Sequence, residues 1–424
     1  MDHGQLLDLQ IERPAAGGRM IARHEGAVLL VAGGIPGERV QARVTRAEKR
    51  VAFAEVVRVL EPSPDRREPP GDPACGGCVY AAIAYPRQIE LKGAIIRDAF
   101  ARIGKIPLEQ EILVAPSAER GYRMRARFHV ADARIGFYRE GSHELCEPRQ
   151  TGQLLEASIE AVEAAVASLA AQGADVIGVE LAETIGADQR ALHLAVRELP
   201  RGDALDRAIV AGGLTGCTAR AMDEKAASAG DPIVSDPIAA LTGGRGSGAL
   251  RRHPEAFFQG NRFLVPGLVA AVLDAVPDGD VLDLYAGVGL FSLAVASAAD
   301  ARVVAVEGDP VSGRDLLRNA APLASRLRVV RTSVEAYLSR PFGAPSTILV
   351  DPPRTGMSKE ACEAVARAGS ERIVYVSCDP PTMARDARKL LDAGYALESL
   401  QGFDLFPNTA HVETLGLFRR AATL

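Results

Sequence analysis

Three patterns of apolar and polar residues follow one another along the chain. Residues 1–61 hold short apolar runs between glycine and proline turns, for example Ala27-Val-Leu-Leu-Val31 before Gly33-Gly-Ile-Pro-Gly37. Such runs are typical of a five-stranded barrel of the oligonucleotide-binding type. Residues 62–252 mix helical and strand spacings, whereas residues 253–424 alternate apolar strands with helices. We therefore expect an α/β chain with a β-barrel, a mixed α/β middle region and a Rossmann-like carboxyl-terminal region.

The middle region begins with a proline-rich linker, residues 61–74, that cannot sustain a helix or a central strand. An amphipathic helix follows from Tyr85 to about Gly104, and part of residues 86–118 is expected to pack on the carboxyl-terminal region. The apolar positions of this helix are Ile89, Ile95, Ile96, Phe100 and Ile103. Further elements expected in this region are a helix over 150–172, strands over 177–182 and 190–196, and a loop over 230–252.

Arginines alternate with apolar residues in the word Arg123-Met-Arg-Ala-Arg-Phe128. Because successive side chains of a strand point to opposite faces, Arg123, Arg125 and Arg127 are expected on one face. A row of guanidinium groups can hold phosphates or stack on bases. An ordinary solvated strand face is the alternative.

Polar residues stand at the carboxyl ends of the strands predicted after residue 253. Val281-Leu-Asp-Leu-Tyr-Ala-Gly-Val-Gly289 is a strand followed by a glycine turn, and Glu307 ends the next strand. Glycines let the backbone approach a ligand, and a carboxylate at that position can accept the two hydroxyls of a ribose. A full phosphate-binding fingerprint would have a third glycine near position 292, where Ser292 stands, but the short Gly-x-Gly alone leaves a dinucleotide fold open.

Two further strands end in reactive groups. Thr347-Ile-Leu-Val350 leads into Asp351-Pro-Pro-Arg354, whose prolines stiffen the loop. Arg372-Ile-Val-Tyr-Val376 leads into Ser377 and Cys378. Ligands of open α/β sheets bind at this edge, so Cys378 is a candidate nucleophile. An inert buried thiol is the alternative.

Composition narrows the class of protein. The chain has 424 residues, 47% of them hydrophobic, with a net charge of −5. We expect a cytoplasmic enzyme rather than a membrane or secreted protein, because no apolar run reaches the ~18 residues of a membrane span. The six cysteines are expected to be reduced in that compartment. A nucleic-acid partner would need only a local basic face.

Cys75-Gly-Gly-Cys78 has a spacing that lets both thiolates reach one metal ion or cluster. Two incidental cysteines are the alternative.

Several of these sequence motifs together resemble those of one known family. Gly17-Gly-Arg-Met-Ile-Ala-Arg23 and Pro36-Gly-Glu-Arg-Val40 resemble the RNA-holding TRAM domain. The remaining words resemble bacterial RNA uracil-5 methyltransferases; they are Phe257-Phe-Gln-Gly-Asn261, Leu282-Asp-Leu-Tyr-Ala-Gly-Val-Gly289, Asp351-Pro-Pro-Arg354, Ser377-Cys-Asp-Pro380 and Phe406-Pro-Asn-Thr-Ala-His-Val-Glu413. The resemblance covers almost the whole chain. It implies a class I methyltransferase that uses S-adenosylmethionine (SAM) on 23S ribosomal RNA or on the thymine loop of transfer RNA.

The resemblance implies a role for each matching residue. Cys378 would be the nucleophile that adds to carbon 6 of uracil, and Glu413 the general base that removes the carbon-5 proton. The expected SAM contacts are Gln259, Asp283, Tyr285, Gly287, Gly289, Glu307, Ser333 and Asp351. The expected RNA contacts are Arg123, Arg125, Arg127 and Arg354. Some members of the family have an asparagine where Leu290 stands, and an asparagine or aspartate often stands at the position of Ser333. Both differences concern residues expected near SAM.

Several members of the family carry a four-iron cluster on four cysteines. Cys75, Cys78 and Cys146 match three of them, and Pro69, which cannot be a ligand, stands at the fourth position. The cluster is expected to be absent, or completed by a carboxylate such as Asp72.

The expected partner is RNA, and the expected state is a monomer without a membrane. Two other functions stay open: methylation of an amide nitrogen on a base or protein, which needs no cysteine, and RNA binding without catalysis.

Overall fold

The computed structural model describes residues 1–15, 17–49 and 51–421. Its first strands are β1 (Leu6–Pro14), β2 (Met20–His24), β3 (Ala27–Ala32), β4 (Arg39–Ala47) and β5 (Val51–Glu61). They close into a barrel in the order β1-β2-β3-β5-β4. Along β1, Leu7, Leu9 and Ile11 are buried between exposed neighbours, so the alternating pattern supplies the inner face of the barrel. Among the residues that the structure describes, no helix combines the length and the apolar character that a membrane span requires.

The segment after the barrel bridges two hydrophobic cores. It contains α1 (Tyr85–Ala99), a π-helical turn (Phe100–Gly104) and β6 (Val114–Ala115). Leu91 and Ile95 of α1 pack into the core of the barrel. Ile96 and Ala99, on the next part of the helix surface, pack into the core of the last sheet. The expected apolar position Ile103 is 50% exposed, because the π-helical turn changes the helical register there.

The middle region is built on a seven-stranded sheet. Its strands are β7 (Arg125–Ala131), β8 (Arg134–Tyr138), β9 (Leu145–Cys146), β10 (Val176–Glu183), β11 (Arg190–Val196), β12 (Gly216–Ala221) and β13 (Ala226–Gly230), in the order β13-β12-β11-β10-β7-β8-β9. The helices of this region are α2 (Pro148–Thr151), α3 (Glu156–Ala171) and α4 (Ala204–Gly212). Apolar residues of α3 and α4 share one core with one face of the sheet, and along β7 the residues that alternate with Ala126 and Phe128 of that core point to the other face.

Residues 230–252, expected to be a loop, form regular structure instead. β14 (Val234–Pro237) and β15 (Ala249–Arg252) pair as an antiparallel ribbon, and α5 (Ile238–Leu241) lies between them. Val234 and Leu250 are buried. The glycine-rich segment between the strands interrupts this short apolar pattern, which is why the sequence predicts a loop.

The last region is an eight-stranded sheet between layers of helices. The helices are α6 (Val265–Ala275), α7 (Leu290–Ala298), α8 (Pro310–Ala320), α9 (Val334–Leu338), α10 (Lys359–Arg367) and α11 (Pro380–Asp392), with a 3₁₀ turn at Ala321–Leu323. The strands are β16 (Gly279–Leu284), β17 (Ala301–Glu307), β18 (Leu327–Arg331), β19 (Thr347–Val350), β20 (Arg372–Ser377), β21 (Tyr395–Phe403) and β22 (Glu413–Arg420).

The strand order of this sheet is β18-β17-β16-β19-β20-β22-β21-β6. The strands from β16 to β20 run parallel, and β22 runs antiparallel to both of its neighbours. β6 adds to the edge of β21. The predicted fold class, a barrel, a mixed α/β middle region and a Rossmann-like region, is confirmed.

Candidate active site

Sheet topology brings the reactive residues of the last region to one edge. β16, β19 and β20 are parallel, so their carboxyl ends lie side by side. β22 runs the other way, so its first residue, Glu413, arrives at the same edge. Ser377 pairs with Thr414 across β20 and β22, which places Cys378 and Glu413 at the same height in the sheet. Asp351 follows the end of β19.

Cys378 lies between the end of β20 and the start of α11. Asp379 caps α11 by accepting a hydrogen bond from the Thr382 N–H at 3.1 Å, which fixes the turn that carries the cysteine. Among the cysteines outside disulfides in the described residues, Cys378 is partly exposed and the others are buried. Burial and the nearby Glu413 carboxyl raise the pKa of the Cys378 thiol to about 12, while Arg354 acts in the opposite direction. The thiol is therefore protonated at neutral pH before any ligand arrives.

Two acidic residues share this edge. Burial raises the pKa of Asp351 to about 7, although Gln259 donates to its Oδ2 at 3.5 Å. Glu413 is 1% exposed, and its Oε1 has no hydrogen-bond partner among the described residues. Burial and the neighbouring Asp351 raise the pKa of Glu413, and Arg354 lowers it. A buried carboxyl oxygen without a partner marks a place where a ligand can complete the site.

The glycine turn after β16 is shaped for close approach. Gly289 has a φ of +98°, and a Cβ there would lie 2.4 Å from Leu293 Cδ1. The Gly287 and Asp309 N–H groups donate to the two oxygens of Glu307 at 2.7 and 2.6 Å. Glu307 is thus held at the end of β17 with lone pairs left for a ligand's hydroxyls.

The other residues predicted around this turn differ in how they are held. Asp283 is 1% exposed and accepts a hydrogen bond from Ser292. Tyr285 has a φ of +62°, and its hydroxyl has no hydrogen-bond partner among the described residues. Ser333 caps α9 by accepting from the Ala336 N–H.

Asp386 is a site residue that the sequence motifs did not single out. It is completely buried and accepts hydrogen bonds from the Tyr375 hydroxyl at 2.9 Å and the Met357 N–H at 3.1 Å. Tyr375 belongs to the strand that leads to Cys378, and Met357 belongs to the loop after Asp351, so Asp386 joins the two supports of the site. Its position on the apolar stripe of α11 is the signal that sequence analysis could have used.

The arginine row of the middle region divides between two environments. Arg125 lies 5.7 Å from the Phe257 ring centroid and forms a 3.3 Å ion pair with Glu180, while Arg127 is exposed. The expected place of Arg123 beside them is wrong. Its guanidinium lies over Phe137, 5.4 Å from the ring centroid, which belongs to the core shared with α3 and α4. β7 begins only at Arg125, so strand alternation does not extend to Arg123.

The three cysteines expected around a cluster are not arranged as its ligands. Cys75 and Cys146 form a disulfide, which corrects the expectation of reduced thiols throughout. Cys78 is buried, and burial raises the pKa of its thiol to about 11. Asp72 forms a 2.7 Å ion pair with Arg139. Within residues 1–15, 17–49 and 51–421, no group of three histidine, cysteine or acidic side chains could hold a metal ion, so these residues do not fit a four-iron cluster.

The raised pKa of the buried Asp283 carboxyl leads us to expect that the protein loses stability as the pH rises. Burial raises the pKa of this carboxyl from 3.8 to about 7, so the folded protein favours the neutral acid more than the unfolded chain does. That stabilisation is present below the unfolded pKa and is lost as the pH rises through the folded pKa. This rise of the Asp283 pKa from 3.8 to about 7 corresponds to about 4 kcal/mol of stability.

We therefore expect Asp283→Asn to flatten the dependence of the unfolding free energy on pH between about 4 and 8. Urea denaturation at several pH values measures it. Asp280→Asn, an exposed position on the same strand, should keep the wild-type slope. A wild-type slope in Asp283→Asn would contradict the assignment.

Relatives of this chain have been found over its whole length. A sequence model described as tRNA (uracil-5-)-methyltransferase matches residues 247–421, and a TRAM-domain model matches residues 2–57. The uncharacterized RNA methyltransferase Cgl1903/cg2084 of Corynebacterium glutamicum is 31% identical over 99% of this chain and 98% of the relative. The 23S rRNA (uracil(1939)-C(5))-methyltransferase RlmD of Alkalilimnicola ehrlichii is 33% identical over 96% of this chain and 94% of its own.

A solved structure shares the complete fold. The Pyrococcus abyssi tRNA (uracil-54, C5)-methyltransferase, in complex with S-adenosyl-L-homocysteine, superposes with a TM-score of 0.76 at 22% identity. The superposition covers 97% of this chain and 99% of the other. It therefore includes the barrel, the middle sheet and the last sheet together. The chain belongs to the RNA (uracil-5-)-methyltransferase family.

Proposed function

We propose that this protein transfers a methyl group from SAM to carbon 5 of a uridine in RNA through a covalent bond to Cys378. The observation that carries the proposal is that a partly exposed cysteine and a buried glutamate, whose Oε1 has no hydrogen-bond partner among the described residues, lie together at the ligand-binding edge of a Rossmann-like sheet. Carbon 5 of uracil is too weak a nucleophile to take a methyl group directly. A thiol and a carboxylate on one site are the groups needed to activate it.

The proposed reaction balances as follows. The Cys378 thiol gives up its proton to solvent, the resulting thiolate forms a bond to carbon 6, and the electrons of the C5–C6 double bond move into an enolate. Carbon 5 then forms a bond to the methyl group, which SAM supplies in electrophilic form while the donor's sulfur keeps the electron pair. The Glu413 carboxylate removes the carbon-5 proton, the double bond forms again, and the Cys378 thiolate leaves.

The charges around the cysteine fit the first step. Because burial and Glu413 hold the thiol in its neutral form, attack needs a cation that favours the thiolate. Arg354 supplies that positive charge to both Cys378 and Glu413. Its backbone oxygen accepts from the Thr382 hydroxyl at 3.4 Å, so its loop is tied to the helix that follows the cysteine.

The residues around the glycine turn fit SAM. Glu307 would accept the ribose hydroxyls, and Gly287 and Gly289 leave room for the nucleoside. Tyr285, whose hydroxyl has no hydrogen-bond partner among the described residues, and Asp351, which accepts from Gln259, are further proposed SAM contacts. Asp283 would support the glycine turn from the protein interior, since its buried side chain accepts a hydrogen bond from Ser292.

The proposed substrate is 23S ribosomal RNA. The middle sheet supports RNA binding, because Arg125 and Arg127 lie on the face opposite the core shared with α3 and α4, and Arg354 lies near Cys378 and Glu413. The TRAM-domain match at residues 2–57 covers most of the barrel. The Alkalilimnicola ehrlichii relative, which is named as a methyltransferase of 23S rRNA, aligns with nearly the whole chain, which favours ribosomal over transfer RNA.

Mapping 5-methyluridine in a strain lacking the gene tests this proposal. We expect one 5-methyluridine of 23S rRNA to disappear, while the transfer RNA thymine loop keeps its modification. Wild-type protein restores the lost methyl group, and a Cys378→Ala copy serves as the matched control that does not. Loss in transfer RNA alone would overturn the choice of substrate, and no loss in either RNA would overturn the activity.

A further inference from the structure

A buried ion pair holds the segment that leads to Glu413. Lys92 of α1 and Asp404, just after β21, are both completely buried and form a salt bridge. Lys92 Nζ also donates to the Phe406 carbonyl at 3.0 Å. The Tyr85 hydroxyl donates to the second carboxylate oxygen of Asp404 at 2.9 Å. The start of the segment is therefore fixed through its side chain and its backbone at once.

A second set of contacts fixes the middle of the same segment. Asn408 has a φ of +64°, a conformation that few residues other than glycine adopt. Its Oδ1 accepts from Arg67 at 2.9 Å and from Gln88 at 3.0 Å, and its N–H donates to Gln88 at 2.9 Å. The Tyr80 N–H donates to its carbonyl at 2.8 Å.

These contacts all come from residues 67–92, which lie outside the last sheet in sequence. The segment they hold, residues 404–412, contains no helix or strand of its own. These partners, together with Asn261, which donates to the Asp404 and Leu405 carbonyls, therefore set its geometry. The segment leads to Glu413, whose Oε1 has no hydrogen-bond partner among the described residues. A buried ion pair adds little net stability compared with apolar residues of the same size, but it fixes one arrangement.

We propose that Lys92 and Asp404, together with Gln88 and Asn408, position Glu413 for the removal of the carbon-5 proton. The inference rests on the function proposed above. None of these four residues touches the reacting atoms, so each is a positioning residue. Adduct formation and methyl transfer need Cys378 and SAM, whereas release of the product needs Glu413 in place. We call these four residues the clamp. Loss of the clamp therefore slows product release more than methyl transfer, and the methylated RNA stays bound to Cys378.

The double variant Lys92→Met with Asp404→Asn tests the clamp without leaving a buried charge unpaired. We expect its release rate to fall between about tenfold and a hundredfold, as small displacements of a catalytic group do. The SDS-stable complex with uridine RNA and labelled SAM should accumulate, while the KM values for SAM and RNA stay near those of the wild type. Arg87→Gln, which removes a more exposed ion pair with Glu90 on the same helix, is the matched control and should release product normally.

Asn408→Gly gives a second route if the double variant does not fold. Glycine adopts the same positive φ without strain, but it removes the acceptor for Arg67 and Gln88. It should show the same accumulation. A folded clamp variant of either kind that releases product at the wild-type rate overturns the inference. Failure of the proposed function itself is distinguishable, because the wild type would then form no covalent complex with 5-fluorouridine RNA.

Discussion

Replacing Cys378 with alanine is expected to abolish methylation while leaving SAM bound. The thiol is the group that adds to carbon 6, and none of the other cysteines outside disulfides in the described residues is partly exposed. Loss of a nucleophile lowers turnover by factors of about ten thousand or more. The glycine turn and Glu307 do not depend on the thiol, so calorimetry should give a SAM affinity close to that of the wild type. Transfer of a labelled methyl group to RNA measures the loss.

A covalent trap makes the same prediction sharper. In 5-fluorouridine RNA the carbon-5 hydrogen is replaced by fluorine, which Glu413 cannot remove as a proton, so the adduct persists. The wild type should form this adduct, and Cys378→Ala should not. Cys362→Ala, a buried cysteine of the same region, is the control and should trap RNA normally. Full activity of Cys378→Ala would instead favour methylation of an amide nitrogen, which needs no cysteine.

Glu413→Gln is expected to uncouple methyl transfer from product release. Glutamine keeps the shape of the side chain but cannot accept the carbon-5 proton, so the reaction should stop at the methylated adduct. One methyl group per enzyme should transfer in a burst, and the labelled RNA should remain attached to protein on a denaturing gel. Removal of one catalytic base commonly costs between about a hundredfold and ten-thousandfold.

The order of events separates this variant from the previous one. Cys378→Ala should give neither adduct nor product, whereas Glu413→Gln should give adduct without product. Glu371→Gln, an exposed glutamate just before β20, should behave as the wild type. Normal release by Glu413→Gln would remove this residue from the proton transfer and direct attention to Asp351, the other carboxyl at the site.

Local patterns were sufficient to predict most of the fold. The patterns that predict the barrel and the last sheet each span only a few residues. They are strand alternation, glycine turns and strand–helix repeats. Cys378, Asp351 and Glu307 could be expected at one edge because parallel strands share their carboxyl ends. Where an element begins or changes type, the same rules failed, as at Arg123 and at the π-helical turn.

Partners distant in sequence could not be predicted in this way. Lys92 lies within an amphipathic helix, and its spacing gives no sign that it pairs with a carboxylate 312 residues later. The sequence shows Asp386 as a charged residue on an apolar stripe, but it does not show which groups Asp386 binds. The Cys75–Cys146 disulfide closes a separation of 71 residues. Such contacts are set by how the sheets and helices pack, and a one-dimensional pattern carries no distance between elements.

The pairing of Lys92 with Asp404 has a consequence for the time at which the enzyme becomes competent. During synthesis at about 5 to 20 residues per second, Asp404 leaves the ribosome roughly 16 to 60 s after Lys92. In that interval the barrel can form, but α1 carries an amine whose acceptor has not been made. The nascent chain therefore has no assembled active site during that interval, and methylation can begin only once the strands on both sides of Asp404 have joined the sheet.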